Sequence, residues 1–357
     1  MNCSERVMDL QAAGVMSKSA VAHDYLLNSI IHQEESMKHH AIGGRRLPGS
    51  CLAVLLLAGS LFTLSFATMA QDQGPPDAAV EHFEVTSLTG LARKSGYAAV
   101  NGLEMYYEIH GEGEPLVVLH GGFMNIDAIG PLIPALAEDR QVIAVELQGH
   151  GRTADILRPF SYEAMADDVA ALISHLELGE ADVFGFSMGG GVTLQLGIRH
   201  PGRINRLIVV SAPFRGDAWY PEVRAGMAAM DAEMMTGTVM YREYQRLAPD
   251  PEHWSDFVGR MQRFLGANQD YDWGDDVDGI EGPSLVVIAD TDFLSPAHAA
   301  ELARRLGGGP VDGGMGPSPA TQLAVLPGTT HFDILYRLDL LLPIVNGFLG
   351  QGEAVGQ

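Results

Sequence analysis

The stretch Ala181-Asp182-Val183-Phe184-Gly185-Phe186-Ser187-Met188-Gly189-Gly190-Gly191-Val192 constrains the fold of this chain more than any other. Val183 to Phe186 is a short apolar run of the kind that forms a buried strand. A helical pattern (Val192, Leu194, Leu196, Ile198) begins just after Ser187. Gly185-Phe186-Ser187-Met188-Gly189 fits G-x-S-x-G, in which a serine stands on a sharp strand-to-helix turn. A side chain two positions before or after that serine would collide with the turn, so both positions are glycine. The serine oxygen is then exposed at a helix N-terminus, where backbone N–H groups favour a developing negative charge. The alternative is a glycine-rich loop with a capping serine. The strand before, the helix after and the partners downstream favour the turn.

From there the mature chain reads as alternating strands and helices. Tyr97–Val100 and Leu103–Ile109 flank Asn101-Gly102, the strongest short hairpin signal. Leu116–Leu119 is an apolar run expected as a strand buried on both faces, and Val142–Val145, Arg206–Val210, Ser284–Ile288 and Gln322–Leu326 are expected as further strands. Between them, helices are expected over Ala128–Glu138, Ser161–Leu176 with Ser161 as N-cap, Pro296–Leu306, and Ile334–Leu349. Such alternation predicts an α/β fold: a mostly parallel central sheet flanked by helices. Sites in such sheets form beyond the carboxyl ends of the strands. The interval 213–282 breaks the rhythm, with helical patterns, six methionines and all three tryptophans. It is expected to be a helical cap inserted after the sixth strand, over a core made of 96–212 and 283–350. The acidic run Asp270–Asp278 has glycine where a calcium loop needs an oxygen ligand, so it reads as a solvated turn.

The N-terminal region has a different character. A basic stretch from Met37 to Arg46 precedes an apolar run from Cys51 to Phe66, then the small residues to Ala70 and a polar, proline-containing tract. This is the order of a signal peptide over 37–70, with cleavage after Ala70 and export to the periplasm or beyond. The apolar run is about 16 residues, short of the roughly 20 of a spanning helix; an uncleaved membrane anchor is the alternative. Residues 1–36 sit oddly before such a signal, and Met37 is the more natural start. Residues 71–95 read as a linker. Both cysteines, Cys3 and Cys51, lie before Ala70, so the remainder has no thiol for a disulfide or metal site. With a net charge of −23 and no basic stripe, nucleic acid is excluded as an expected partner, and a membrane is expected only through the N-terminal segment.

A serine needs a base and the base needs an orienting carboxylate. Of thirteen histidines, His331 alone follows the last strand. His120, His150 and His200 are explained by loop packing beside glycine or by a helix end. Asp290 and Asp292 follow the preceding strand; Asp292 lies deeper in its loop, whereas Asp290 abuts the strand and suits a turn cap. Ser187, Asp292 and His331 occur in the chain order Ser…Asp…His. Two N–H groups should receive an oxyanion: that of Met188, and that of Gly122 in the loop His120-Gly121-Gly122-Phe123, with Phe123 as the alternative. Phe123, Trp219, Met230 and Phe293 are expected to line a pocket for a small or medium apolar substrate of ester type. No metal or organic cofactor is expected.

These residues resemble the α/β-hydrolase family, and within it the capped serine hydrolases: esterases, enol-lactonases and C–C bond hydrolases. The resemblance spans about residues 96–349. It rests on His120-Gly121-Gly122, Gln148-Gly149-His150-Gly151-Arg152, Gly185-Phe186-Ser187-Met188-Gly189-Gly190, Ala289-Asp290-Thr291-Asp292 and Gly328-Thr329-Thr330-His331-Phe332. It implies the α/β-hydrolase fold and a carboxylesterase-like activity through Ser187, Asp292 and His331. The family commonly has Asp and Arg where this chain has Glu146 and Gln148, and Gly where it has Ala289, which leaves the subfamily open. A serine rather than an aspartate nucleophile argues against haloalkane dehalogenases and epoxide hydrolases. A hydrolase-fold binding protein with an idle triad is the rival from another class.

Overall fold

Eight strands form one sheet in the order β1-β2-β4-β3-β5-β6-β7-β8. They are β1 (Lys94–Val100), β2 (Leu103–His110), β3 (Pro115–Leu119), β4 (Gln141–Val145), β5 (Ala181–Phe186), β6 (Ile204–Val210), β7 (Ser284–Thr291) and β8 (Thr321–Thr330). The structure, a computed structural model, describes residues 92, 94–267, 270–309 and 320–350. The signal segment over 37–70, the residues before it and nearly all of the 71–95 linker lie outside the described residues. Lys94 and Ser95 are already paired in β1, so the linker ends earlier than expected. Among the described residues no helix is long and apolar enough to cross a membrane.

The first two strands form the expected hairpin, with Asn101 at φ 46° and Gly102 at φ 86°. Two successive positive φ values match the right-handed twist of the flanking strands. β2 pairs antiparallel with β4, and every pair from β4 to β8 is parallel. Alternate strand residues point to opposite faces and are apolar on both. Val117, Leu119, Val183 and Val209 enter one core with α3 (Tyr162–His175), α4 (Met188–Arg199) and α10 (Pro296–Arg305). Val118, Phe184, Phe186 and Ile208 enter the other with α1 (Ile126–Ile129), α2 (Leu132–Leu136) and α11 (Leu338–Leu349).

Two helices and two strands differ from expectation. The helix expected over Ala128–Glu138 is two short ones, because Gly130 turns the chain at φ 63° and Pro131 follows. A Cβ at Gly130 would lie 2.8 Å from the Tyr336 ring, whose hydroxyl donates to Ala128 O at 2.9 Å. The last helix starts at Leu338 rather than Ile334; residues 331–336 are a turn, held by Thr330 N–H donating to Asp333 Oδ1 at 2.6 Å. β7 runs three residues past the end of its apolar run at Ile288, and β8 four past Leu326.

Between β6 and β7 no strand of the sheet occurs among the described residues. The chain there forms α5 (Pro221–Ala229), α6 (Ala232–Met235), α7 (Val239–Leu247), α8 (Trp254–Met261) with a π-helical continuation over Gln262–Ala267, and α9 (Gly274–Val277). Trp254, Phe257, Met261 and Trp273 turn inward and are buried. In the acidic run, Asp270, Asp272, Asp275, Asp276 and Asp278 are exposed while Trp273 and Val277 anchor it. Arg246 of α7 donates to Asp127 Oδ2 at 2.6 Å and Asn125 donates to Glu243 at 3.2 Å, joining this segment to α1.

Candidate active site

Ser187 is the residue at the turn between β5 and α4, with φ 52° and ψ −115°. A non-glycine residue at positive φ is held there by its surroundings. Its N–H donates to Val210 O at 2.9 Å, and Gly189 N–H donates to His120 O at 3.1 Å. Glycine is obligatory on both sides. A Cβ on Gly185 would lie 2.2 Å from Gly189 O and from Thr193 Oγ1; one on Gly189 would lie 2.5 Å from Leu119 O.

Asp292 and His331 meet because of strand register. β7 and β8 are parallel, and Thr291 pairs with Thr330 after a local irregularity near Ala289. The next residue on each chain leaves the sheet side by side with the other. His331 Nδ1 lies 2.6 Å from Asp292 Oδ1, and its Nε2 lies 3.0 Å from Ser187 Oγ. A carboxylate only accepts, so Nδ1 carries the proton and Nε2 offers its lone pair to the Ser187 hydroxyl. His331 and Asp292 are buried, while Ser187 keeps some exposure.

Burial alone would raise the Asp292 carboxyl. The His331 imidazole, the Ser211 hydroxyl and the Phe293 N–H outweigh it and hold the group below the usual carboxylate range. Ser211 Oγ donates to Asp292 Oδ2 at 2.5 Å, and Phe293 N–H donates to Oδ1 at 2.6 Å. Ser211 follows β6 as Ser187 follows β5, and it too has positive φ, 53°. Sequence reasoning missed it; its place just past an apolar strand is the only signal it carries. Asp290 accepts from Gly328 N–H at 2.9 Å and Thr329 N–H at 3.2 Å. Asp290 lies within β7 rather than in a turn, and its carboxylate ties that strand to the end of β8 just before His331.

The oxyanion loop corrects one expectation. Phe123 N–H donates to His150 Nε2 at 3.1 Å and is already engaged, so Phe123 is removed as the alternative donor. Gly122 N–H makes no hydrogen bond among the described residues. Met188 N–H belongs to the first turn of α4, where amides have no partner within the helix. A Cβ on Gly122 would lie 3.0 Å from Leu265 and 3.2 Å from Met261, so these two side chains cover its backbone.

Of the expected lining residues, Phe293 stacks on the His331 ring at 4.2 Å and 12°, and Trp219 meets that ring edge-on at 6.1 Å. Phe123 reaches up to Phe257 at 5.4 Å. Met230, half-buried at the end of α5, packs into the apolar cluster beneath the helical segment. The methionine over Gly122 is Met261, which with Leu265 sits four residues apart on one helical face; that spacing was the available signal. Among the described residues no group of three or more His, Cys, Asp or Glu could hold a metal ion.

A sheet with antiparallel strands at one edge, a serine on a strained strand-to-helix turn, and a His–Asp pair carried by the last two strands define a class of hydrolases. The family model for the alpha/beta hydrolase fold matches residues 114–270. A pimeloyl-[acyl-carrier protein] methyl ester esterase of Neisseria meningitidis is 32% identical over 261 residues, covering 66% of this chain and 92% of the relative. An acetyltransferase component of the acetoin cleaving system of Pseudomonas putida is 34% identical over 125 residues, and the match spans 35% of this chain and 34% of that protein. Among solved structures, the enol-lactonase from Burkholderia xenovorans LB400 superposes with a TM-score of 0.55 at 25% identity, covering 71% of this chain and 100% of the other. The chain belongs to the alpha/beta hydrolase fold family.

Proposed function

We propose that this protein is a serine hydrolase that cleaves a carboxylic ester of a small or medium apolar substrate through an acyl-enzyme. The observation that carries this reading is the His331 ring bridging Ser187 Oγ at 3.0 Å and Asp292 at 2.6 Å. In this mechanism Ser187 attacks the ester carbonyl and His331 Nε2 takes its proton. Asp292 fixes the ring and stabilises its charged form. The Met188 and Gly122 N–H groups receive the oxyanion; each such donor is worth roughly 3–4 kcal/mol in the transition state. His331 returns its proton to the leaving alcohol, then activates water to release the acid. Trp219, Phe293, Met261 and Leu265 would present apolar surface to the substrate, with helices α5–α9 as its cap.

The ester activity named for the Neisseria relative supports this choice. The same triad could open a lactone or cleave a carbon–carbon bond, a second reading favoured by the likeness to the enol-lactonase. The test is a fluorophosphonate probe with a panel of chromogenic esters and lactones of graded chain length. The wild type is expected to be labelled at Ser187 and to hydrolyse short and medium esters, with both lost in Ser187→Ala. A folded protein that takes no label would be a binder with an idle triad. Preferential turnover of lactones would favour the second reading.

A further inference from the structure

Two buried histidines beside the oxyanion loop have no part in the proton transfers proposed above. His120 Nδ1 lies 2.7 Å from Gly121 O and its Nε2 lies 3.1 Å from Leu147 N. His150 Nδ1 lies 2.9 Å from Gln148 O and its Nε2 lies 3.1 Å from Phe123 N. A carbonyl only accepts and an amide N–H only donates. Both rings must therefore carry their proton on Nδ1 and accept at Nε2. Each is neutral and has used both nitrogens. They lie side by side, ring centroids 5.0 Å apart, and both are almost wholly buried.

What they hold is one short turn. Gly121 O accepts from Met124 N–H at 3.3 Å, which closes a turn with Gly122 and Phe123 at its centre. Phe123 has φ 61°, a conformation that side-chain-bearing residues rarely adopt. Glycine is the usual residue at that place in a turn with positive φ. The bond from Phe123 N–H to His150 fixes the peptide plane between Gly122 and Phe123 and keeps this N–H engaged. Gly122 N–H is left as the loop's donor. From above, the Phe257 ring meets His150 edge-on at 5.0 Å and Phe123 at 5.4 Å, so α8 clamps both partners of that bond.

The geometry points to His150 as a positioning residue for the oxyanion hole: its Nε2 lone pair, by accepting the Phe123 N–H, aims the neighbouring Gly122 N–H at the reacting carbonyl oxygen. His120 does the complementary task, tying the start of the same loop to Leu147 after β4. This inference rests on the acyl-transfer reading. It assigns His150 no contact with substrate and no proton to move.

The test compares three replacements. His150→Phe keeps a ring against Phe257 and removes the acceptor. His150→Gln can return an oxygen to the Nε2 position. His150→Asn reaches only the Nδ1 position. With a chromogenic ester that the wild type hydrolyses, His150→Phe and His150→Asn are expected to lower kcat about 10- to 100-fold, KM staying within about threefold. Fluorophosphonate labelling of Ser187 should slow in step, and His150→Gln should recover most of the loss. Equal kcat in wild type and His150→Phe, a change in KM alone, or a glutamine variant no better than asparagine would overturn the proposal. A crystal structure of His150→Phe supplies a readout independent of turnover. The Phe123 φ should leave the positive region, and an unchanged turn would also overturn the proposal. Should His150→Phe fail to fold, the Gln and Asn variants carry the same comparison. Failure of the acyl-transfer reading looks different: the wild type itself would neither hydrolyse esters nor take the label.

Discussion

Two aspartates two residues apart carry different tasks, and their hydrogen bonds tell them apart. Asp292 accepts from His331, Ser211 and the Phe293 N–H, whereas Asp290 accepts from two backbone N–H groups near the end of β8. Asp292→Asn is expected to lower kcat by about 10³–10⁴, since an amide can no longer hold the required tautomer. Asp290→Asn should leave kcat within a fewfold of wild type, and steady-state kinetics on one ester decides between them. An Asp290 variant as impaired as the Asp292 variant would reverse the assignment. Ser211→Ala removes one bond to a buried carboxylate and should cost about tenfold in kcat, the worth of roughly 1–1.5 kcal/mol. At this scale the sequence is legible where chemistry forces residue type. That Ser187, Asp292 and His331 meet could be read from motif, strand ends and chain order. Ser211 and His150 could not, because a serine or a histidine near a glycine says nothing about the partner that will face it across 81 or 27 residues.

At the scale of elements, close approach of backbone dictates the glycines around Ser187. Gly189→Ala would drive a methyl group into Leu119 O and His120 O at 2.5 and 2.7 Å, atoms of β3 and the oxyanion loop that cannot swing aside. A loss of about 3 kcal/mol or more in urea unfolding is expected. Gly226 lies inside α5 with nothing within 4 Å of an added Cβ, so Gly226→Ala should stabilise the protein by about 0.5–1 kcal/mol. If both changes shifted stability alike, steric contact would not be the cause. Elements were legible where local pattern and tertiary need agree: the Asn101-Gly102 hairpin, the Ser161 cap accepting from Ala164 N–H, and the five apolar strands. The break between the two short helices was missed although Gly130-Pro131 is itself a local breaker signal; what the sequence does not show is the Tyr336 ring that closes off space for a side chain at Gly130. The ends of β7 and β8 were not legible, their last residues being polar and paired only because two strands run together.

For the molecule as a whole, several buried histidines are folded away in their uncharged form. Burial pushes His120 down to about 4, and burial with the neighbouring His120 pushes His150 down to about 3, from an ordinary 6.5. Between those values the unfolded chain binds the proton and the folded one does not. Their contribution to stability is therefore present near neutrality and fades as pH falls from 6.5 toward 4. Burial raises Glu146 to about 7, which acts in the opposite direction between 4.5 and 7. The net charge of −23 also relaxes on acidification. The informative measurement is thus a difference. Between pH 6.5 and 4, His150→Phe is expected to lose on the order of 3 kcal/mol less stability than wild type, both followed by urea unfolding. Parallel pH curves would show that the ring is charged in the native state.

The pairing of Thr291 with Thr330 has a consequence for how this protein can vary. Because the backbone ladder itself delivers carboxylate and imidazole to their meeting point, exchange of strand side chains should leave them aligned, while loss of one codon within β7 or β8 should turn Asp292 or His331 to the opposite side. In a deletion scan, single-residue losses in those two strands should abolish ester hydrolysis, while β1, at the far rim, should forgive.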